Sequence, residues 1–266
     1  MTVGKLLDTP SGNSVVVALD HGLSLGAPEG FENPPETLDK VISGGADAVL
    51  VGPHFARRYQ DRLSDAGVEV VLTADVVTWS TSPGREHDED LWTPAFDAEL
   101  LKDLDPAGVK TVLVFGRDDN DIFQKNIKYV AELAEDLRGT GIPLVVEPVM
   151  WGQRIPDQLE TDPAYVADGL RMGWEFGADI LKAPYTGTRE SFEPIVSNSP
   201  VPVMILGGPA SGETREMLKS VEDAIASGAR GLMIGRTVWK SEDPAKTVAA
   251  LTQIVHEGAT VEEVWD

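Results

Sequence analysis

Eight apolar, β-branched runs return along the chain at intervals of roughly 25 to 40 residues, and few folds accommodate that rhythm. They are SVVVALD (14–20), ADAVLVG (46–52), VEVVLTAD (68–75), KTVLVFG (110–116), PLVVEPV (143–149), ADILKAP (178–184), VPVMILGG (201–208) and GLMIGR (231–236). Near-continuous Val, Ile and Leu runs are expected of parallel strands covered on both faces. Between them lie amphipathic stretches with helical spacing, such as NDIFQKNIKYVAELAEDLRG and GETREMLKSVEDAIASG, several of which end in glycine where a helix C-cap belongs. Eight strands alternating with helices predict a closed (β/α)8 TIM barrel, and a single domain over residues 1–266 matches the roughly 250 residues such a barrel needs.

The rival is an open doubly wound sheet, whose dinucleotide fingerprint should follow the first strand. DHGLSLGAPEG places its glycines wrongly for GxGxxG. Residues 76–108 break the repeat by replacing the third helix with a charged, Trp-bearing extension of a βα loop, readable as a surface insertion, a lid or a subunit contact.

Charge narrows the function. With 44 Asp and Glu against 22 Lys and Arg, the net charge is −22 and the chain would repel nucleic acid. Acid dispersed over the whole length resembles the surface of a salt-adapted, halophile protein, because salt screens such self-repulsion. There is no cysteine, hence no disulfide or thiol nucleophile. MTVGKLLDTPSG has too short an apolar core for a signal peptide, and no run spans a membrane, so a cytoplasmic protein is expected.

In this fold chemistry sits at the carboxyl ends of the strands. Asp20 and His21, Asp75, Glu147, Lys182 and the pair Gly207 and Gly208 fall there. Strand alternation puts Asp20 on one face with Val16 and Ala18, Glu147 with Val145, and Lys182 with Ala178 and Ile180. If those faces point inward, Asp20, Glu147 and Lys182 share a cavity.

A buried lysine needs a reason, since an unpaired ammonium is costly to desolvate. One reason is a structural salt bridge to Asp20 or Glu147. The other is chemistry: a neutral lysine amine attacks a carbonyl to form a Schiff base, an electron sink for the adjacent carbon–carbon bond, with carboxylates moving the protons.

A second constellation is ILGGPASGETREM with MIGRTVW. Gly207, Gly208 and Gly235 allow close backbone approach, and Arg236 adds a guanidinium at the position where (β/α)8 enzymes often hold phosphate. The histidines His21, His54, His87 and His256 show no HxH or HExxH spacing. A metal held by His21 and nearby carboxylates remains the weaker alternative.

ALDHG, LKAPYTG, GGP and IGRTVW, in that order, together resemble the archaeal-type class I aldolase family, which includes fructose-1,6-bisphosphate aldolase, 2-amino-3,7-dideoxy-D-threo-hept-6-ulosonate synthase and the autoinducer thiolase. The resemblance implies that Lys182 forms the Schiff base, that Asp20 assists proton transfer and that His21 belongs to the site. It also implies that Gly207, Gly208, Gly235 and Arg236 hold the phosphate of a ketose. No cofactor or metal is implied, and a homo-oligomer is.

One position departs from the family. Where those enzymes carry a Tyr-containing turn after the fifth strand, this chain has EPVMWGQRI, with Trp151 or Gly152 in its place. An indole cannot exchange a proton as a phenol does, so Glu147 or Tyr185 is expected to take that role. The alternatives to an aldolase are a transferase on the same scaffold and a non-catalytic sugar-phosphate-binding paralogue.

Overall fold

A computed structural model describes residues 3–79, 90–152, 154–156, 159–207 and 213–265. The strands are β1 (Ser14–Ala18), β2 (Ala48–Val51), β3 (Glu69–Thr73), β4 (Asp75–Trp79), β5 (Asp90–Pro94), β6 (Gly108–Val114), β7 (Leu144–Val149), β8 (Ile180–Ala183), β9 (Val203–Leu206) and β10 (Gly231–Ile234). Eight of them close a barrel in the order β1-β10-β9-β8-β7-β6-β3-β2, and β4 and β5 form a separate hairpin. Every barrel pairing is parallel. Each of the eight apolar runs therefore supplies one barrel strand, and the extension contributes the hairpin.

The pleat sorts side chains into two apolar layers. Val16, Ala18, Ala48, Leu50, Val71, Val145, Ile180, Met204 and Met233 fill the barrel, and Leu6 and Leu7 close its amino-terminal end. Residues of opposite parity, such as Val15, Val17, Val49, Leu72, Val146 and Leu181, meet the helices outside. Fully burying each such side chain contributes about 1.5–3 kcal/mol. The inner positions that would continue this pattern toward the carboxyl end are Lys110, Glu147 and Lys182, so the interior changes from hydrocarbon to charge within one pleat.

β3 leaves the barrel at a defined point. Its pairing with β6 ends at Thr73 opposite Lys110, and the Val112 N–H then donates to Asp75 Oδ2 at 2.9 Å. The same oxygen accepts from Thr111 Oγ1 at 2.6 Å and Trp92 Nε1 at 2.8 Å. A buried carboxylate thus replaces the next backbone acceptor, and it also pins the hairpin to the rim through the indole of β5. Burial pushes the Asp75 carboxyl up in pKa despite the nearby Lys110 ammonium and these three donors.

The amino-terminal end has its own fastening. Asp47 Oδ2 accepts from the Val15 N–H at 2.7 Å and lies 2.9 Å from His256 Nε2, while His256 Nδ1 lies 2.6 Å from Ser11 Oγ. A cavity of about 340 Å³, lined in part by Asp8, Thr9, Asp47 and Glu69, opens at this end, away from the charged cluster. The hydrogen bond to Asp47 raises the His256 pKa against the opposing effect of burial. A raised folded-state value gives stability that is fully present below about pH 6.5 and lost as pH rises through the folded pKa. Thermal melts from about pH 6 to about pH 8.5 are therefore expected to show a falling midpoint in the wild type, with a smaller fall in His256→Gln. No helix among the described residues is long and apolar enough to cross a membrane.

Candidate active site

Three charged side chains meet inside the barrel. Glu147 Oε2 lies 2.9 Å from Lys110 Nζ and 3.1 Å from Lys182 Nζ. Lys110 is 7 % exposed, Glu147 6 % and Lys182 7 %. They reach one another because they stand on the neighbouring strands β6, β7 and β8. The register pairs Glu147 with Val112, one pleat above Lys110, and Val145 with Ile180, one pleat below Lys182.

The electrostatics fix the charge of Lys110 and Glu147. Burial works against the Lys110 ammonium, but Glu147, Asp75 and Asp20 outweigh it and hold its pKa above the usual lysine value. Lys110 is thus fixed as a cation. Burial pushes the Glu147 carboxyl up, yet Lys110 and Lys182 more than reverse this and bring its pKa to about 2. At neutral pH the cluster holds an anionic Glu147 between the nitrogens of Lys110 and Lys182.

Asp20 and His21 follow β1 at the mouth and keep partial exposure. His21 Nδ1 lies 3.4 Å from Asp20 Oδ1 without hydrogen-bond alignment, and has no hydrogen-bond partner among the described residues. Desolvation lowers the His21 pKa, with Asp20 opposing and Arg236 and Lys182 assisting, so the ring is neutral near pH 7. Trp239 holds this corner in place: its Nε1 donates to Ala18 O at 3.2 Å, and its ring meets the His21 ring edge-on at 5.5 Å.

Gly235 closes the same corner. A Cβ there would lie 2.4 Å from Ala18 O and 2.7 Å from His21 Cε1. The close approach of this turn to β1 thus accounts for the glycine without any ligand. Arg236 follows and is exposed, and Gly207 comes directly after β9, where a Cβ would press on Ile234 at 3.0 Å. Gly208 lies outside the described residues.

The structure brings Lys182, Glu147, Asp20 and His21 to one end of the barrel but does not bring Tyr185 to them. The Tyr185 ring packs edge-on against Phe192 at 5.2 Å in the outer layer. Its hydroxyl is buried with no hydrogen-bond partner among the described residues. Burial raises its pKa, and the charged groups that act on it are Asp223, Arg189, Glu190 and Lys219 of the outer helices. Lys110, conversely, belongs to the buried cluster, and the apolar runs did not single it out.

A barrel with an interior lysine bonded to a carboxylate on the neighbouring strand is the scaffold of a class I, Schiff-base aldolase, and known proteins support this. The chain superposes on a solved archaeal fructose-1,6-bisphosphate aldolase, whose catalytic lysine is covalently bound to the carbinolamine intermediate of its substrate, with a TM-score of 0.79 and 26 % identity over 94 % of this chain and 96 % of that one. The DeoC/LacD family of aldolases matches residues 14–241, and the chain belongs to it.

Among relatives in sequence, an uncharacterized aldolase of Saccharolobus solfataricus is 32 % identical over 98 % of this chain and 95 % of its own. A 2-amino-3,7-dideoxy-D-threo-hept-6-ulosonate synthase of Halobacterium salinarum is 33 % identical over 93 % of this chain and 88 % of its own.

Proposed function

We propose that the protein is a class I aldolase acting on a phosphorylated ketose, with Lys182 as the Schiff-base lysine. The observation that carries this reading is the shared Glu147 oxygen, 2.9 Å from one buried lysine and 3.1 Å from the other. When the Lys182 nitrogen adds to a ketone carbon, the nitrogen must shed a proton and the carbonyl oxygen must gain protons to leave as water. Glu147, anionic and 3.1 Å away, accepts the first and can return it. The iminium then draws the electron pair of the adjacent carbon–carbon bond. That bond breaks, an aldehyde departs after its hydroxyl loses a proton, and the enamine is reprotonated before water releases the product.

Lys110 acts as a positioning residue. At the neutral carbinolamine and enamine stages Glu147 loses one cationic neighbour, and Lys110 remains to compensate it. Asp20 and the neutral His21, whose Nδ1 has no hydrogen-bond partner among the described residues, stand at the mouth to handle the hydroxyl of the departing aldehyde. A buried nitrogen without a partner costs about 1–3 kcal/mol, which a substrate hydrogen bond would offset. Arg236, with the Gly207 and Gly235 turns, supplies the cation for the phosphate.

A transferase of the aminodideoxyheptulosonate synthase kind is the second reading, favoured by the halobacterial relative. It shares the Schiff base and differs in the acceptor.

Incubation with dihydroxyacetone phosphate and borohydride is expected to leave a reduced adduct on Lys182, read by peptide mass. Absence of an adduct at both Lys182 and Lys110 would overturn the Schiff-base assignment.

A further inference from the structure

We infer that the half of the site under the β4–β5 hairpin receives an uncharged, apolar carbonyl compound, so the enzyme joins or releases a small unphosphorylated aldehyde rather than a second sugar phosphate. The inference rests on the Schiff-base reading above and adds the chemistry of the second substrate half.

Of the groups proposed for phosphate, Gly207 follows β9, and Gly235 and Arg236 follow β10, with Gly235 against His21. Across the mouth the inner positions above the charged cluster have a different character. Val112 pairs with Glu147 and Val114 with Val149, and each two-residue step along a strand climbs about 6.6 Å toward the mouth. The inner positions directly above Glu147 are therefore valine on both strands, and these valines are buried. Val112, Val114 and Val149 form one apolar cluster, against which Val77 and Trp92 of the hairpin and Trp151 beyond β7 pack. Those last three are only half-buried and keep apolar surface at the rim.

No cation is free to serve a second phosphate on this side among the described residues. Lys110 is committed to Glu147 and faced by Asp75. Arg117, past the end of β6, is buried and engaged within the protein, and Arg154, beyond Trp151, is bonded to Asp118 and Asn120. The indole nitrogen of Trp92 is spent on Asp75. A phosphate dianion placed against the half-buried Val77, Trp92 and Trp151 would lose its hydration with nothing in return, whereas an alkyl chain would gain from the same contact.

In the synthetic direction the Lys182 enamine carbon attacks the aldehyde carbon. The carbon–carbon bond forms, the iminium is regenerated, and the former aldehyde oxygen takes up a proton. Only the aldehyde's remaining chain touches the hairpin side.

The test uses the full-length enzyme with dihydroxyacetone phosphate as donor, after the borohydride adduct on Lys182 has been established. Propanal, butanal and glyceraldehyde 3-phosphate are then compared as acceptors by kcat/KM. A preference of at least about tenfold for the alkyl aldehydes is expected, within the range hydrophobic pockets achieve. Val77→Lys, which places a cation on the half-buried hairpin position, is expected to shift that ratio toward glyceraldehyde 3-phosphate.

Equal or better use of glyceraldehyde 3-phosphate by the wild type would overturn the inference while leaving the lysine assignment intact. Absence of the initial adduct would overturn both. The wild-type ratio decides the question even if Val77→Lys fails to fold.

Discussion

Replacing Lys182 with methionine is expected to abolish turnover and the borohydride-trapped adduct while leaving the barrel at least as stable as before. Methionine has nearly the length of lysine and places a thioether where the amine stood, between Ile180 below and the cluster beside it. Removing one member of a buried ion pair is usually costly because the other charge is stranded. Here it is not stranded: Glu147 keeps Lys110 at 2.9 Å. The variant therefore exchanges a three-charge cluster for a single ion pair and buries one polar group fewer. The shift in melting midpoint should be small, within about 2–4 °C, the size of a change near 1 kcal/mol in a chain of this length.

Turnover, by contrast, loses the covalent route altogether, and a fall of at least about a thousandfold is expected. Aldehyde release, adduct mass and calorimetry on the same preparation separate the two effects. Retained trapping in the variant, with the adduct on Lys110, would reverse the roles assigned to the two lysines.

That reversal is worth testing because only one of the two lysines stands out in the sequence. ILKAP interrupts an apolar run, so Lys182 is visible, and alternation carries Glu147 inward with Val145 by the same logic. Lys110 heads the run KTVLVFG and reads as a flanking charge. The strand in fact begins at Gly108, two residues earlier, because the sheet fixes that boundary through pairing with β3 and β7, and glycine itself gives little β signal. Counted from Val112 and Val114, Lys110 has the parity of the inner face, which is the signal that could have found it.

Tyr185 shows the converse. It shares parity with Leu181 and Ala183, both in the outer layer, and closeness in sequence to Lys182 hid this. The eight barrel strands were legible because burial on both faces demands unbroken apolar runs. The hairpin was not, because β4 and β5 pair locally and the first of them follows β3 after a single residue, Ala74. Its anchor is the side chain of Asp75, which sequence position alone marks only as another polar residue at a strand end.

Glu147→Gln is expected to produce the largest combined loss of stability and activity. The amide keeps the shape and one acceptor oxygen but removes the charge that faces Lys110 and Lys182. Breaking a buried charge pair in this way costs about 3–5 kcal/mol, so the melting midpoint at neutral pH should fall clearly. The pH dependence identifies the cause. Burial alone would raise the Glu147 pKa, but the two lysines hold it at about 2 in the folded protein, against about 4.3 in an unfolded chain. A depressed folded value gives stability that is complete above the unfolded pKa and is lost as pH falls toward the folded one.

The stability gap between wild type and Glu147→Gln should therefore be widest above about pH 5 and narrow steadily toward about pH 2. A gap that stays constant across that range would mean that the loss comes from packing rather than from charge. Turnover should fall by about 10²- to 10⁴-fold, the usual contribution of a positioned proton carrier, with slower but still detectable trapping on Lys182. Full activity in this variant would move the proton transfer to Asp20 and His21 at the mouth. The cluster of Lys110, Glu147 and Lys182 would then serve to hold the nucleophile in place rather than to carry its proton.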